Sequence, residues 1–336
     1  MKIKITKSHI ALFISILFIF AILYYIGINK IIKILLKVNP IYIILAIILQ
    51  LIVTFILAVR WRFITKILGY RSSLKNIFLL ILMGTFINNI TPSMKSGGEA
   101  FRAYYLSKLE NIPKGLAFST VVVERVLDSA IFLFFTLFVI GYFIINGFRY
   151  IVYLILSWAF LFLLTSMIIY LISNKKLLIT VVIKISEIIC KYTSYNHNKE
   201  IILKSIDEFY NSLKFLKNKR GKEVYIVILL SILWYAVDII KLWILFLSIP
   251  YIVSILSVAT VYLLTLLSGV LSVTPSGFGT ADTVMIISFT VFNIPPSVAA
   301  VVTILDRLIS YIFPTILGYI AIIIIKKKLN LKDHYN

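Results

Sequence analysis

Residues 91–99 read Thr-Pro-Ser-Met-Lys-Ser-Gly-Gly-Glu, and residues 274–282 read Thr-Pro-Ser-Gly-Phe-Gly-Thr-Ala-Asp. In both, Thr-Pro-Ser is followed by glycines and then by an acid, Glu99 or Asp282, at the same distance, an offset of 183 residues. At an offset of 182, Val-Val-Glu124-Arg125 lines up with Ile-Leu-Asp306-Arg307. Each stretch lies in or beside a long apolar segment. Proline removes a helix donor and glycine admits backbone angles that end a helix. A duplicated helix break with a duplicated acid–arginine pair predicts a repeat-built membrane transporter fold, with its site where the repeats meet.

Composition sets the class. Of 336 residues, 61% are hydrophobic, and the mean hydropathy is +1.04. A soluble globular domain is not that apolar, so the chain is a polytopic membrane protein. The single cysteine, Cys190, excludes an internal disulfide. His9, His197 and His334 are scattered outside the apolar spans without metal-ligand spacing, and neither a metal nor another cofactor is expected. The net charge of +21 is concentrated in a few loops and at the two ends. That is the pattern of orientation in a membrane with anionic lipid on its cytoplasmic face, and it argues against nucleic acid.

The apolar runs predict an all-α protein with about six full spans, 8–28, 41–59, 115–145, 150–173, 224–248 and 296–325. Two hairpins, 76–109 and 252–293, carry the breaks as re-entrant or broken helices. The first span follows Met1–Lys7, which carries three lysines, and lacks a small-residue cleavage site, so it reads as a retained helix. The run before the first break, 76–90, is ended by Asn88, Asn89 and Pro92 and is short for a crossing, which needs about 20 residues. The chain is then one transmembrane domain, 1–336. It comprises a first helix at 1–40, repeat 1 at 41–173, a basic amphipathic linker at 174–222, repeat 2 at 223–325 and a basic tail at 326–336.

With the N-terminus in the cytoplasm, the basic loops at 60–75, 95–114 and 174–222 and the C-terminus all fall inside. The loops at 146–149, 249–251 and 293–296 fall outside and hold only Arg149 between them. Lys30, Lys33 and Lys37 alone dissent, so the positive-inside rule supports this layout in the plasma membrane. The first hairpin then enters from the cytoplasm and the second from outside. The repeats are inverted, which is the architecture of alternating-access carriers.

Non-helical backbone at membrane depth is tolerated only when buried in protein or lining a wet cavity. The helices restarting after Gly97-Gly98 and after Gly277-Phe278-Gly279 point N-terminal N–H groups at the breaks, which suits an anion such as a phosphate. Lys95 and Arg102 add full positive charge at the first break. The expected substrate-binding residues are Lys95, Gly97, Gly98, Glu99, Arg102, Thr274, Pro275, Gly277, Gly279 and Asp282. The second break lacks basic residues and reads equally well as a kinked structural helix.

Charges inside apolar runs must pair or face water, because each unpaired one costs roughly 2.5–3.5 kcal/mol at mid-bilayer. Glu124 and Asp128 share a helix face at i, i+4, with Arg125 beside them. Glu124, Arg125, Asp128, Asp306 and Arg307 are expected to form a polar core or gate where the repeats meet, and one of these acids could relay protons. Asp238 and Lys241, at i, i+3, read as a structural ion pair. In 199–220, Ile202, Ile206, Phe209, Leu213 and Leu216 form an apolar stripe opposite Lys204, Asp207, Lys214 and Lys217. This predicts a helix lying on the cytoplasmic membrane surface or a connector packed on other loops.

The stretch from Pro92 through Gly97-Gly98-Glu99 and Arg102, with Thr120-Val-Val-Val-Glu124-Arg125-Val-Leu-Asp128, resembles the lysylphosphatidylglycerol synthase transmembrane region, also called the flippase-like or UPF0104 membrane family. Pro275-Ser-Gly-Phe-Gly-Thr-Ala-Asp282 through Asp306-Arg307-Leu-Ile-Ser-Tyr-Ile-Phe-Pro314 and Gly318 fits the same family, and the resemblance spans nearly the whole chain. It implies a lipid-translocating membrane domain. Asp282 stands where the family pattern leads one to expect Glu. The aminoacyl-transferring domain of the two-part synthases would follow this region, so the resemblance does not imply lysyl transfer.

The expected function is a non-enzymatic, flippase-like translocase for an anionic phospholipid or a polyprenyl-phosphate-linked lipid. Its partner is an anionic membrane lipid, with a homo-oligomer left open. The alternatives are a membrane-embedded enzyme acting on a lipid headgroup, and an accessory subunit that recruits a glycosyltransferase or lipid-modifying system through 174–222. Glu99 with Arg102 is the sole constellation that could serve an enzyme, and neither His nor Cys joins it.

Overall fold

A computed structural model describes residues 20–91, 97–145, 151–192, 199–218, 221–272 and 274–335. The described residues form helices and no strand. After a helical stretch at 20–26, Gly27 (φ 102°) turns the chain into α1 (Ile28–Leu35). Then follow α2 (Pro40–Ile67), α3 (Leu74–Ile90), α4 (Gly97–Glu110), α5 (Lys114–Ile145), α6 (Ile151–Ser173), α7 (Lys175–Tyr192), α8 (Lys199–Asn218), α9 (Lys222–Ser248) and α10 (Ile255–Leu271). A tight turn at Pro275–Gly277 leads to α11 (Thr280–Val291), and α12 (Pro296–Arg307) runs through a π-turn (Leu308–Ile312) into α13 (Phe313–Tyr335).

Five stretches are long and apolar enough to cross a bilayer: Pro40–Ile67, Lys114–Ile145, Leu154–Ser173, Lys222–Ser248 and Pro296–Asn330. They match five of the six expected crossings, and α3, α10 and α11 are the short apolar helices of the expected hairpins. Most of the sixth crossing, 8–28, lies outside the described residues, as do the loop at 146–149, Lys95 with the rest of 92–96, His9 and His197. One expectation needs correction. Arg60 is not in a cytoplasmic loop at 60–75, because α2 continues to Ile67 and buries Arg60 and Trp61 completely.

The chain divides into two compact units, Met1–Val59 with Leu74–Arg102 and Ile232–Asn336, and Arg60–Ser73 with Ala103–Ser231. The first unit draws residues from both expected repeats. Its core joins α1, α9, α10, α11 and α12 around Phe246 and Phe289, whose rings meet edge to face at 4.9 Å. α3 packs closely along α13 and against the start of α4, and glycines make this possible. A Cβ on Gly318 would stand 2.3 Å from the Leu82 carbonyl oxygen, and one on Gly98 would stand 2.3 Å from that of Gly84. Neither site has room for a side-chain carbon.

The second unit is organised around α5. Gly115 lets α8 approach until a Cβ there would meet the Ser205 carbonyl at 1.9 Å, and its N–H donates to Glu208 Oε2 at 3.1 Å. Ser119 donates to Ser212 at 3.0 Å, and Phe118 faces Phe209 with ring centroids 6.2 Å apart. Ile206 and Phe209 are buried. Ile206 and Phe209 of the apolar stripe of α8 therefore pack on a protein helix, while Lys204 and Asp207 are exposed.

Candidate functional site

The second break builds a compact polar knot. Gly279 (φ 87°) caps α11, and its N–H donates to the carboxylate of Asp282 at 2.9 Å. The same carboxylate is gripped by Arg307 Nε. The other guanidinium nitrogens of Arg307 donate to the carbonyls of Ser276 (3.4 Å) and Gly277 (3.3 Å), which the break has released from helical bonding. The guanidinium also lies over the rings of Phe278 and Tyr311, at 5.7 and 5.5 Å from their centroids. Thr274 Oγ1 donates to the Phe278 carbonyl at 2.9 Å and shares a hydroxyl chain with Ser272, which also accepts from Thr280. Ser276 sits in the left-handed region (φ 50°, ψ 25°), where a non-glycine residue is costly. The positive end of α11 is thus occupied by the protein's own carboxylate.

The end of α3, which precedes the first break, reaches this knot. Asn89 Nδ2 donates to Thr315 Oγ1 at 2.8 Å, and Tyr311 OH donates to the Asn89 carbonyl at 2.7 Å. Ser276 Oγ donates to Asn89 Oδ1 at 3.2 Å. The adjacent Asn88 Oδ1 accepts from the Gly98 N–H at 2.7 Å, filling one of the donors that open α4. Glu99 and Arg102 are both buried on α4, and Arg102 runs across Gly84, where a Cβ would strike its Cδ at 2.4 Å. Within one unit, then, the groups flanking the first break and those of the second are tied by Asn88 and Asn89. Gly97, Gly98, Glu99, Arg102, Thr274, Pro275, Gly277, Gly279 and Asp282 all belong to this unit, and Lys95 lies outside the described residues.

The second unit holds a different cluster. Arg60 donates to Glu124 Oε1 at 2.6 Å, to Asp128 Oδ1 at 2.5 Å and to Ser231 Oγ at 3.2 Å. The Arg60 and Glu124 side chains are 0% and 1% exposed, whereas Arg125 is half exposed and meets Asp128 at 3.6 Å. Sequence reasoning placed Arg125 beside these acids and missed Arg60. Successive helix residues do not share a face, so the sequence hints that Glu124 needs a partner besides Arg125 without saying which. A partner had to come from another helix.

Two further groups occupy the first unit. Lys241 pairs with Asp238, as the i, i+3 spacing predicts, and also donates to Gln50 Oε1 at 2.7 Å; Tyr262 OH donates to Asp238 Oδ2 at 2.6 Å. Asp306 accepts a hydrogen bond from Ser310 Oγ at 2.7 Å. Its sequence neighbour Arg307 is turned to Asp282 instead.

These features define a class: an all-α polytopic membrane protein in which the end of one interrupted helix is hydrogen-bonded to a second interruption that an arginine–carboxylate pair holds. The chain belongs to the lysylphosphatidylglycerol synthase TM region family, with the match covering residues 8–318. It is 71% identical over 332 residues to a UPF0104 membrane protein of Methanocaldococcus jannaschii, covering 99% of each chain. A UPF0104 membrane protein of Methanothermobacter thermautotrophicus is 28% identical over 329 residues, covering 94% of this chain and 95% of that one. One of Pyrococcus horikoshii is 27% identical over 325 residues, covering 94% and 97%.

Proposed function

We propose that this protein translocates an anionic lipid, a phospholipid or a polyprenyl-phosphate-linked lipid, between the leaflets of the plasma membrane. The observation that carries this reading is the hydrogen bonding of Asn89, beside the first break, to Ser276, Tyr311 and Thr315 around the second. Irregular backbone at membrane depth is held there by side-chain bonds that can exchange partners, as a carrier needs when it moves a headgroup through the bilayer. Arg102 and Lys95 supply charge for a phosphate at the first break. The second break, whose helix end is filled by Asp282, acts as the hinge that answers it. In this reading the termini are cytoplasmic and the two hairpins enter from opposite sides.

The test is direct. The purified protein is reconstituted into phosphatidylcholine–phosphatidylglycerol vesicles with a fluorescent phosphatidylglycerol analogue, and a membrane-impermeant reductant quenches the outer leaflet. Translocation is expected to make the inner-leaflet fraction quenchable, and a fraction as protected as in protein-free vesicles would sink the proposal. Lys95→Ala with Arg102→Ala should weaken binding of the analogue, at roughly 1.5–3 kcal/mol for each charge-assisted bond lost. Cysteine labelling in a Cys190-free background checks the orientation: positions near 110 and 147 must label from opposite sides.

A further inference from the structure

Four carboxylates of the apolar helices are held by a cation: Glu124 and Asp128 by Arg60, Asp238 by Lys241 and Asp282 by Arg307. Asp306 is arranged differently. It lies within the apolar stretch Pro296–Asn330, and among the described residues its one hydrogen-bond partner is the Ser310 hydroxyl, with no ion pair. It stands ten residues along the helix from Pro296, about 15 Å of rise, well inside that apolar stretch. A charged carboxylate there is costly, and the neutral acid escapes the cost. A serine hydroxyl suits both states, since it donates to a carboxylate and accepts from a carboxylic acid.

The surrounding charges leave this choice open. On its own helix Arg307 points to Asp282 of α11, and those two charges offset each other. Facing it from α10 is Tyr262, which lies in the field of Asp306 and donates to Asp238; Asp238 and Lys241 of α9 neutralise one another. α1, which also packs on α12, carries Lys30 and Lys33 at exposed positions. Tyr311 in the following turn gives its hydroxyl proton to the Asn89 carbonyl.

A second observation links Asp306 to the breaks. Ser310 belongs to the π-turn Leu308–Ile312, and so does Tyr311, which holds Asn89. A π-turn interrupts the regular helix ladder, and such turns occur often at functional sites. A change in the Asp306–Ser310 bond therefore acts on the same turn that fastens the end of α3 beside Ser276.

We propose that Asp306 binds the proton that couples lipid movement to a transmembrane proton gradient. In one state a carboxylate oxygen takes a proton from the aqueous phase on one side, forming a neutral acid. In the other state that O–H bond breaks and the proton leaves to the opposite side. This rests on the translocase reading above, and two measurements separate the fates of the two ideas.

The first measurement needs no substrate. Infrared difference spectra of the full chain between mildly alkaline and mildly acidic buffer should show the carbonyl stretch of a protonated carboxylic acid. The band should vanish in Asp306→Asn, return in Asp306→Glu and appear at a shifted pH in Ser310→Ala. A band that persists in Asp306→Asn overturns the proposal, and Ser310→Ala serves the same purpose if Asp306→Asn does not fold. The second uses the vesicles described above. A gradient of about one pH unit should bias wild-type movement of the fluorescent phosphatidylglycerol by up to about tenfold, and Asp306→Asn should move it equally with and without the gradient. Wild-type movement indifferent to the gradient overturns proton coupling and leaves the translocase reading standing. An Asp306-dependent infrared band in a protein that moves no lipid in the vesicles supports the proton site and overturns the lipid reading.

Discussion

Arg60 and Arg307 are both arginines gripped by carboxylates inside apolar helices, but their settings differ. Arg60 lies within an unbroken helix, is fully buried, and has two carboxylates and a serine around it. Arg307 ends α12 where the π-turn begins, is 19% exposed, and divides its bonds between one carboxylate and two backbone carbonyls of a broken helix. The first arrangement joins helices that run without interruption. The second depends on a side chain to satisfy backbone that has left its helix. Similar charged pairs thus sit in different surroundings: Arg60 joins unbroken helices, and Arg307 holds a helix interruption.

The sharpest way to break this contrast is Arg60→Ala, which removes the buried cation shared by Glu124 and Asp128. Loss of a buried partner typically costs about 3–5 kcal/mol, and denaturant unfolding in detergent should show the largest drop among the variants considered. Replacing Arg60 with Met together with Glu124→Leu and Asp128→Leu should recover most of that loss, because an apolar set of similar volume is often neutral. If Arg60→Ala is as stable as wild type, the joining by Arg60 contributes nothing to stability.

Arg307→Ala is next. It should cost roughly 1.5–3 kcal/mol, the scale of hydrogen bonds to a charged group, and it should stop movement of the fluorescent phosphatidylglycerol in vesicles. Full activity with reduced stability would make Arg307 merely structural and erase the distinction from Arg60. Gly98→Ala tests whether the packing beside the first break is as tight as the geometry shows. Its new Cβ faces backbone at 2.3 Å, and overpacking of this kind costs about 1–3 kcal/mol, measured by the same unfolding assay. The smallest effect is expected for Ser276→Ala, which deletes one neutral hydrogen bond to Asn89 worth about 0.5–1.5 kcal/mol. Asn89→Ala removes more bonds, so it should exceed Ser276→Ala; the reverse order would mean that Asn89 does not tie the break.

Much of this was legible in the sequence. Apolar length alone marked α2, α5, α6, α9 and the α12–α13 stretch, because a bilayer demands about 20 apolar residues. Proline and glycine marked both breaks, and the i, i+3 spacing marked Asp238 with Lys241. The partners of Glu124 and Asp282 were not legible. Arg60 and Arg307 reach them across 64 and 25 residues of sequence, and pattern reasoning sees only neighbours. Asn88 and Asn89 were read as helix stops, since a single sequence does not reveal that a terminating side chain also bonds to a distant turn. The extension of α2 past Arg60 was hidden because a charge after an apolar run normally marks the water boundary.

The continuous helical path from Pro296 through the π-turn to Tyr335 also acts as a ruler. From Pro296 to Lys326 it rises about 45 Å, while a typical hydrocarbon core is about 30 Å thick. The surplus has to be absorbed by leaning, by local thickening of the bilayer or by protrusion. Lys326, Lys327 and Lys328, with Lys328 tied to Asn76 Oδ1 at 2.6 Å on α3, anchor that surplus at one end. Membrane thickness is therefore an input to this protein: a thinner or thicker bilayer changes the load on the very rod that carries Asp306, the π-turn and Arg307.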